Sequence, residues 1–363
     1  MTKKFNRRSF IGYISATLAT SLLLKACADK PSYSPSPSTM ILTENPANDS
    51  TDAGNSSETF KIAIALPGVI TDGGWNQSGY EGVKKAAEKL NGEMIYVENV
   101  AQPDQTETLS DFARKGYDLV VGHGGQFDAA IQQVASQFPD TFFLGVNGNI
   151  AGENYASVTT NYFQVGYLAG VVAGLMTKTN KVAYITGLSF KGTNLQGKAF
   201  ELGAKSVNTS VEVVISYTGD FNDIAKGKEA ALALISTGVD VIYHLLDNAA
   251  PAVLQTAQEK GIYAVGNTTD QLDVAPKAVL TSAVQDVGGA IAYVANLVKN
   301  NQVKGEKYIL GIENPEITKL GRLNDVLPEE VKQKIEETQQ EMLAGKLQFK
   351  DCSEGSQEKV CIK

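Results

Sequence analysis

The residues able to do chemistry are few, and they are spaced for binding rather than for catalysis. Two histidines, His123 and His244, stand among 363 residues, with no HExxH, CxxC or Gly-x-Ser-x-Gly pattern. A zinc or serine hydrolase would need one of these to place its metal or nucleophile. Each histidine ends an apolar run, where a packed, hydrogen-bonded imidazole competes with a ligand contact. The turn acids Asp72, Asp128 and Asp270 are scattered, not paired for acid–base work. Gly192-Thr193-Asn194-Leu195-Gln196-Gly197-Lys198-Ala199 approaches a phosphate-binding loop, but Ala199 stands where a Ser or Thr would hold Mg²⁺. Gly122-His123-Gly124-Gly125 lacks the dinucleotide spacing. More telling is Asp72-Gly73-Gly74-Trp75-Asn76-Gln77-Ser78-Gly79-Tyr80-Glu81-Gly82, which carries the only Trp of the chain. Trp75 either caps the core beneath a loop or offers a stacking platform with Asn76 beside it as a hydrogen-bonding group. No metal and no cofactor are expected.

From Phe60 onward, short apolar runs alternate with helical periods, the signature of parallel sheet with crossover helices. The pattern predicts strands at 60–66, 93–98, 117–122, 141–146, 181–186, 211–217, 239–245, 262–266, 278–282 and 307–312. It predicts helices at 76–91, 126–137, 162–178, 194–207, 223–237, 249–260, 285–300 and 328–345. About 300 residues of this kind exceed one core. An internal echo supports two lobes: Lys115-Gly116-Tyr117-Asp118-Leu119-Val120-Val121 and Thr237-Gly238-Val239-Asp240-Val241-Ile242-Tyr243 share a Gly stop, an Asp and an apolar strand. The expected architecture is α/β, two similar doubly wound parallel-sheet lobes around a ligand cleft at the carboxyl ends of their strands. The lobes are expected at 60–161 plus about 281–308, and 162–280 plus about 309–350, with a tail at 351–363.

The termini speak to location. Basic residues at 3–8, an apolar stretch at 10–24 and Leu24-Lys25-Ala26-Cys27 form an export signal over 1–26 with a lipoprotein-type processing site. Arg7-Arg8-Ser9-Phe10-Ile11 resembles a twin-arginine signal, and export by the general secretory route is the alternative. An uncleaved anchor is the competing reading, but the stretch is short of the roughly twenty residues a span needs. Cys27 would carry the lipid, and 27–59, rich in Pro, Ser, Thr, Asn and Asp, would be a disordered tether. Five basic residues precede Cys27, leaving 27 Lys+Arg against 40 Asp+Glu, a formal charge near −13. So acidic a surface repels phosphate backbones and excludes nucleic acid as a partner. Cys352 and Cys361 would close a small loop in an oxidising compartment or remain free thiols.

The Asp72–Gly82 segment resembles the Asp-x-x-Phe-Asn-x-x-x-x-x-Gly motif of the basic membrane protein family, nucleoside-binding lipoproteins that serve ABC importers, with Trp75 in place of Phe. The resemblance runs over roughly 60–350. It continues through Tyr167-Leu168-Ala169-Gly170, Gly197 and Gly203, Phe221-Asn222-Asp223 with Lys226-Gly227-Lys228, Gly266 to Gln271, Pro328-Glu329-Glu330-Val331 and Gly345. It implies a periplasmic binding protein type 1 fold and a purine clasped between Trp75 and Phe221. Asn76 would lie beside the first ring and Asp128 near the base. Two departures stand out. Thr268 replaces the first acid of Gly-x-Asp-x-Asp-Gln, ahead of Asp270, and Gln285 replaces the lysine of Ser-x-x-Lys. Both positions are implied to face the ribose, so recognition of a purine is better supported than recognition of a nucleoside. The resemblance implies a monomer on the outer face of a bacterial cell membrane that delivers a purine nucleoside or base to an ABC permease. A ligand sensor for a membrane receptor shares the fold, and an exported nucleoside-cleaving enzyme is the remaining reading.

Overall fold

The computed structural model describes residues 39–41 (backbone only), 59–72, 74–355 and 357–363. Cys27, Arg7 and Arg8 lie outside the described residues.

The first run of elements comprises β1 Thr39–Ile41, β2 Lys61–Ala65, α1 Trp75–Lys89, β3 Glu93–Val97, α2 Gln105–Arg114, β4 Leu119–His123, α3 Asp128–Ala135, β5 Phe142–Val146 and β6 Tyr155–Thr160. A second run follows: α4 Tyr162–Met176, β7 Lys181–Thr186, α5 Lys191–Val207, β8 Glu212–Tyr217, α6 Ile224–Ser236, β9 Val241–Leu245, α7 Ala250–Glu259, β10 Tyr263–Thr268 and β11 Val279–Gln285. The chain ends with α8 Val287–Lys299, β12 Lys307–Leu310, β13 Thr318–Leu320, α9 Glu329–Leu343, β14 Phe349–Asp351 and β15 Val360–Ile362.

The first sheet has the order β1-β3-β2-β4-β5-β6-β12 and the second β13-β11-β10-β9-β7-β8. All neighbours are parallel except the edge strands β1 and β13. The central strands repeat one topology, β3-β2-β4-β5-β6 and β8-β7-β9-β10-β11, and this is the internal echo read from sequence. Lys-Ile-Ala-Ile-Ala in β2 and Phe-Phe-Leu-Gly-Val in β5 are almost wholly buried, because helices cover both faces of a parallel sheet. Gly116 (φ 72°) and Gly238 (φ 94°) end the preceding helices in the left-handed region, so the same stop serves both lobes.

Helix α4 is apolar on nearly every side because it lies between the second sheet, α5 and α9. The glycines of the family motif explain how close α5 comes. A Cβ on Gly170 would stand 2.1 Å from the Phe200 carbonyl oxygen, and one on Gly203 would stand 2.0 Å from that of Tyr167. These glycines are therefore packing residues.

The chain passes between the two sheets at Asn161, at Asp286 and across 311–317. Asn161 and Asp286 cap α4 and α8, accepting from Gln164 N and Gly289 N. β11 belongs to the second sheet through Gln285, whereas α8 packs on α1 and β12 joins the first sheet.

Several elements differ from expectation. Helix α2 is not expected from the sequence, although its buried hydrophobic residues Leu109, Phe112 and Ala113 fall on one face at helical spacing. β6 and β13 are likewise absent from the sequence reading. Within the span read as a disordered tether, Thr39–Ile41 pairs antiparallel with β3, whose outer edge offers unpaired backbone groups to a β-prone Thr-Met-Ile. Gly192–Ala199 lies inside α5, which starts at Lys191, so it forms no phosphate-cradling loop. Cys352 and Cys361 are joined in a disulfide across the β14–β15 hairpin. No helix among the described residues is long and apolar enough to cross a membrane.

Candidate functional site

The loop after β2 is organised by Asp72. Its carboxylate accepts from the backbone N–H groups of Gly74 (2.9 Å), Asn76 (2.9 Å) and Gln77 (3.0 Å), and from Asn76 Nδ2 (2.7 Å). Burial pushes this carboxyl up, but the hydrogen bonds outweigh it and hold it below the usual carboxylate range. Asn76 also accepts from Gly68 N at 3.0 Å, so its amide is largely spent on shaping the loop. Trp75 opens α1, and one face of its ring stacks on His123 with centroids 4.2 Å apart and planes 22° apart. His123 is fully buried, and burial drives its pKa down to about 4, so the ring is neutral. Its Nε2 lies 2.8 Å from the Trp75 carbonyl oxygen and must donate there, which leaves Nδ1 buried without a partner among the described residues. His123 thus fixes the Trp75 platform from behind.

The second lobe answers with Phe221. Its ring lies over Gly187, where a Cβ would come within 2.5 Å of Phe221 Cγ, and runs parallel (15°) to the exposed Phe190 at 6.4 Å. The Phe221 carbonyl accepts from the backbone N–H of Asp247 (3.0 Å) and of Ala249 (3.3 Å), tying the turn after β9 to the aromatic loop.

The lobes meet at this turn. Asn248 Nδ2 donates to the Asp72 carbonyl at 2.7 Å. A Cβ on Gly74 would stand 2.8 Å from Asp247 Cγ, so the α1 entrance approaches the Asp247 turn as only glycine allows. Burial, with the Asp72 and Asp220 carboxylates nearby, raises Asp247 to about 6. The segments that carry Trp75 and Phe221 thus touch across the two lobes at this contact.

The other expected residues vary in their freedom. Asp128 begins α3. It accepts Asn149 N through Oδ2 (2.7 Å), while Oδ1 is buried with no partner, and burial raises its pKa. Thr268 ends β10, exposed, at φ 68°, a left-handed conformation costly for a β-branched residue. Asp270 is held by Arg322 (Nε 2.8 Å) and by the Arg322 backbone N–H (3.0 Å). Gln285 is buried and bridges the lobes. Its Oε1 accepts from Thr160 (2.9 Å) at the end of β6, and its Nε2 donates to Asn267 (2.9 Å) in β10. The loops that carry Trp75 and Phe221 therefore meet through the Asp72–Asn248 contact and the Asp247 turn, whereas the Asp270 and Gln285 side chains are committed elsewhere. Among the described residues no group of three or more His, Cys, Asp or Glu is placed to hold a metal ion.

Residues 59–352 match the Bmp family, described as ABC transporter substrate-binding protein PnrA-like. The chain belongs to the Bmp family. It is 28% identical to transcriptional activator protein med of Bacillus subtilis over 76% of this chain and 86% of that protein. It is also 28% identical to a purine-binding protein of Brucella abortus, over 81% of this chain and 84% of the relative. A crystal structure of a transcriptional activator of the comK gene from Bacillus halodurans superposes with a TM-score of 0.69 at 27% identity, covering 78% of this chain and 98% of that one. The fold is that of the periplasmic binding proteins.

For a Bmp-family chain, sequence reasoning missed the residues that act at the lobe contact. Asp247 and Asn248 follow β9 where Gly125 and Gln126 follow β4, and the internal echo carried that far would have pointed to them. Phe190, beside Phe221, gave no signal beyond being an aromatic residue in a turn.

Proposed function

We propose that this Bmp-family protein is an extracytoplasmic substrate-binding protein that captures a purine base or nucleoside by closing its two lobes and delivers it to an ABC permease. The observation that carries the reading is the convergence of the Trp75 and Phe221 loops at the Asp72–Asn248 contact. Rings from opposite lobes can both touch a flat ligand only when the cleft is shut, so binding would favour closure. The purine-binding Brucella relative agrees with this ligand class. We take the lobes to be bounded by the crossings near 161, 286 and 311–317.

A free base is favoured over a nucleoside. The sugar-side positions hold the neutral Thr268 in place of an acid, and a Gln285 whose amide is already paired with Thr160 and Asn267. Mass spectrometry of whatever leaves the denatured protein should return a purine, and calorimetric titration should show binding of adenine or guanine at least as tight as of adenosine or guanosine. A protein that binds none of the four would overturn the purine reading. The formal charge of −8 disfavours a DNA backbone as partner, so the activator name of two relatives does not extend to DNA contact here.

Cys27 is proposed as the lipid attachment site. The Cys27→Ser variant should then leave the membrane fraction in cell fractionation, and a variant that still pellets in high salt contradicts the anchor.

A further inference from the structure

Open doubly wound sheets bind ligands outside the carboxyl ends of their strands, where the strand order reverses. That point lies between β2 and β4 in the first lobe and between β7 and β9 in the second. In the first lobe the two turns there carry Trp75 and, three residues beyond Gly125, Asp128. In the second they carry Phe190, stacked beside Phe221, and Asp247. Each lobe therefore presents an aromatic ring and a carboxylate on these two turns, with Asp247 at the place of Gly125 and Asp128 three residues further on.

Among the described residues Asp128 Oδ1 lacks a partner beside the first sheet, and Asp247 is the acid of the second lobe's turns whose bonding is incomplete. Asp72 receives four hydrogen bonds and Asp220 receives Asn222 N at 2.8 Å, but no donor among the described residues reaches the Asp247 carboxylate. It lies against the Gly74 backbone of the opposite lobe, on the turn that holds the Phe221 carbonyl, with the Asp72 and Asp220 carboxylates as the charged groups acting on it. Carboxylates withdrawn from water are retained where a partner supplies donors. We propose that Asp247 is a ligand-contacting residue of this cleft, whose ionised carboxylate accepts N–H hydrogen bonds from the edge of the bound base. The assignment rests on the purine reading and narrows it. The ligand carries N–H donors on its edge and no phosphate, since Asp72, Asp220 and Asp247 together repel an anion.

The pH dependence has a definite sign. The groups around Asp247 are Asp72 from the first lobe and Asp220 from the turn before Phe221; His123, behind Trp75, is neutral above about pH 4. Without ligand, Asp247 titrates near 6 in the shut cleft. A ligand that donates to it holds it ionised, so binding near pH 6 releases protons and weakens as pH falls through that value. A ligand that merely buries it would produce proton uptake and tighter binding in acid.

The test is titration of the full protein and of Asp247→Asn with adenine, guanine, guanosine and guanosine 5′-monophosphate, at pH 6 in two buffers of different ionisation enthalpy. The wild type should bind a base with proton release and reject the monophosphate. Asp247→Asn should bind the base about ten- to a hundredfold more weakly, with the proton release gone and the unfolding temperature no lower. Equal affinity in the variant, proton uptake by the wild type, or binding of the monophosphate each overturns the assignment while leaving the purine reading in place. If the wild type binds no probe, the purine reading falls and this assignment with it.

Discussion

At the residue scale, Trp75 and Phe221 owe their positions to neighbours that are not themselves aromatic clamps. His123 supports one face of Trp75, and Gly187 leaves room for the Phe221 ring. Base–aromatic stacking is worth about 1–3 kcal/mol in nucleic-acid systems, so Trp75→Ala and Phe221→Ala should each weaken purine binding about five- to a hundredfold. Calorimetry at matched pH is the check, and unchanged affinity in both variants would remove the aromatic clasp. Gln285 belongs to a different task. Its amide closes a path from Thr160 through Asn267 to Tyr243 and Gln196, joining the first sheet to the interior of the second. Its replacement by lysine would disturb the bridge before it could contact a sugar.

At the scale of elements, α4 and α5 cross with almost no side chain between them, and Gly170 and Gly203 are the reason. Replacing Gly203 with Ala improves helix propensity by about 1 kcal/mol, but the new methyl meets the Tyr167 carbonyl, which is backbone and cannot rotate away. Overpacking of this kind costs about 1–3 kcal/mol, so the net effect should be a lower unfolding temperature. Circular dichroism melts of Gly203→Ala would show it; an unchanged or raised midpoint would mean that the helices separate freely. The C-terminal hairpin is secured by its disulfide and by the Lys191–Asp351 ion pair at 2.6 Å, which reaches back to α5.

For the whole molecule, two buried neutral histidines set the acid limit of stability. Burial brings both His123 and His244 down to about 4, from the ordinary value of 6.5. The unfolded chain therefore binds protons that the native state refuses. Their contribution is fully present above 6.5 and is lost as pH falls toward 4, on the order of several kcal/mol for the pair. Asp247 acts in the opposite sense, because its folded value near 6 is above the ordinary 3.8, but one partly buried acid is outweighed by two fully buried imidazoles. Thermal midpoints should fall between pH 6.5 and pH 4, and His244→Gln should flatten that fall. A flat profile in the native protein would show that the histidines are protonated where they lie.

The sequence by itself determined the α/β class, the two-lobe repeat and nearly every central strand, because buried parallel strands and amphipathic helices write their periods locally. Gly116 and Gly238 were legible as stops because glycine is favoured where φ is positive. The segment around Trp75 stood out because it carries the lone Trp in a glycine-rich turn, while Phe221 was reached only through the family resemblance. Only the tertiary structure decided what those residues face. The strands β6 and β13 draw their stability from neighbours distant in sequence, so their own patterns are weak. Asn76 and Asp270 look like free polar groups in one dimension and are bound to Asp72 and Arg322 in three. Asp247 looks like an ordinary turn acid, yet it lies against Gly74 of the opposite lobe, and no donor among the described residues reaches it. Burial and partnership depend on the summed geometry of both lobes, and no local run of residues encodes that sum.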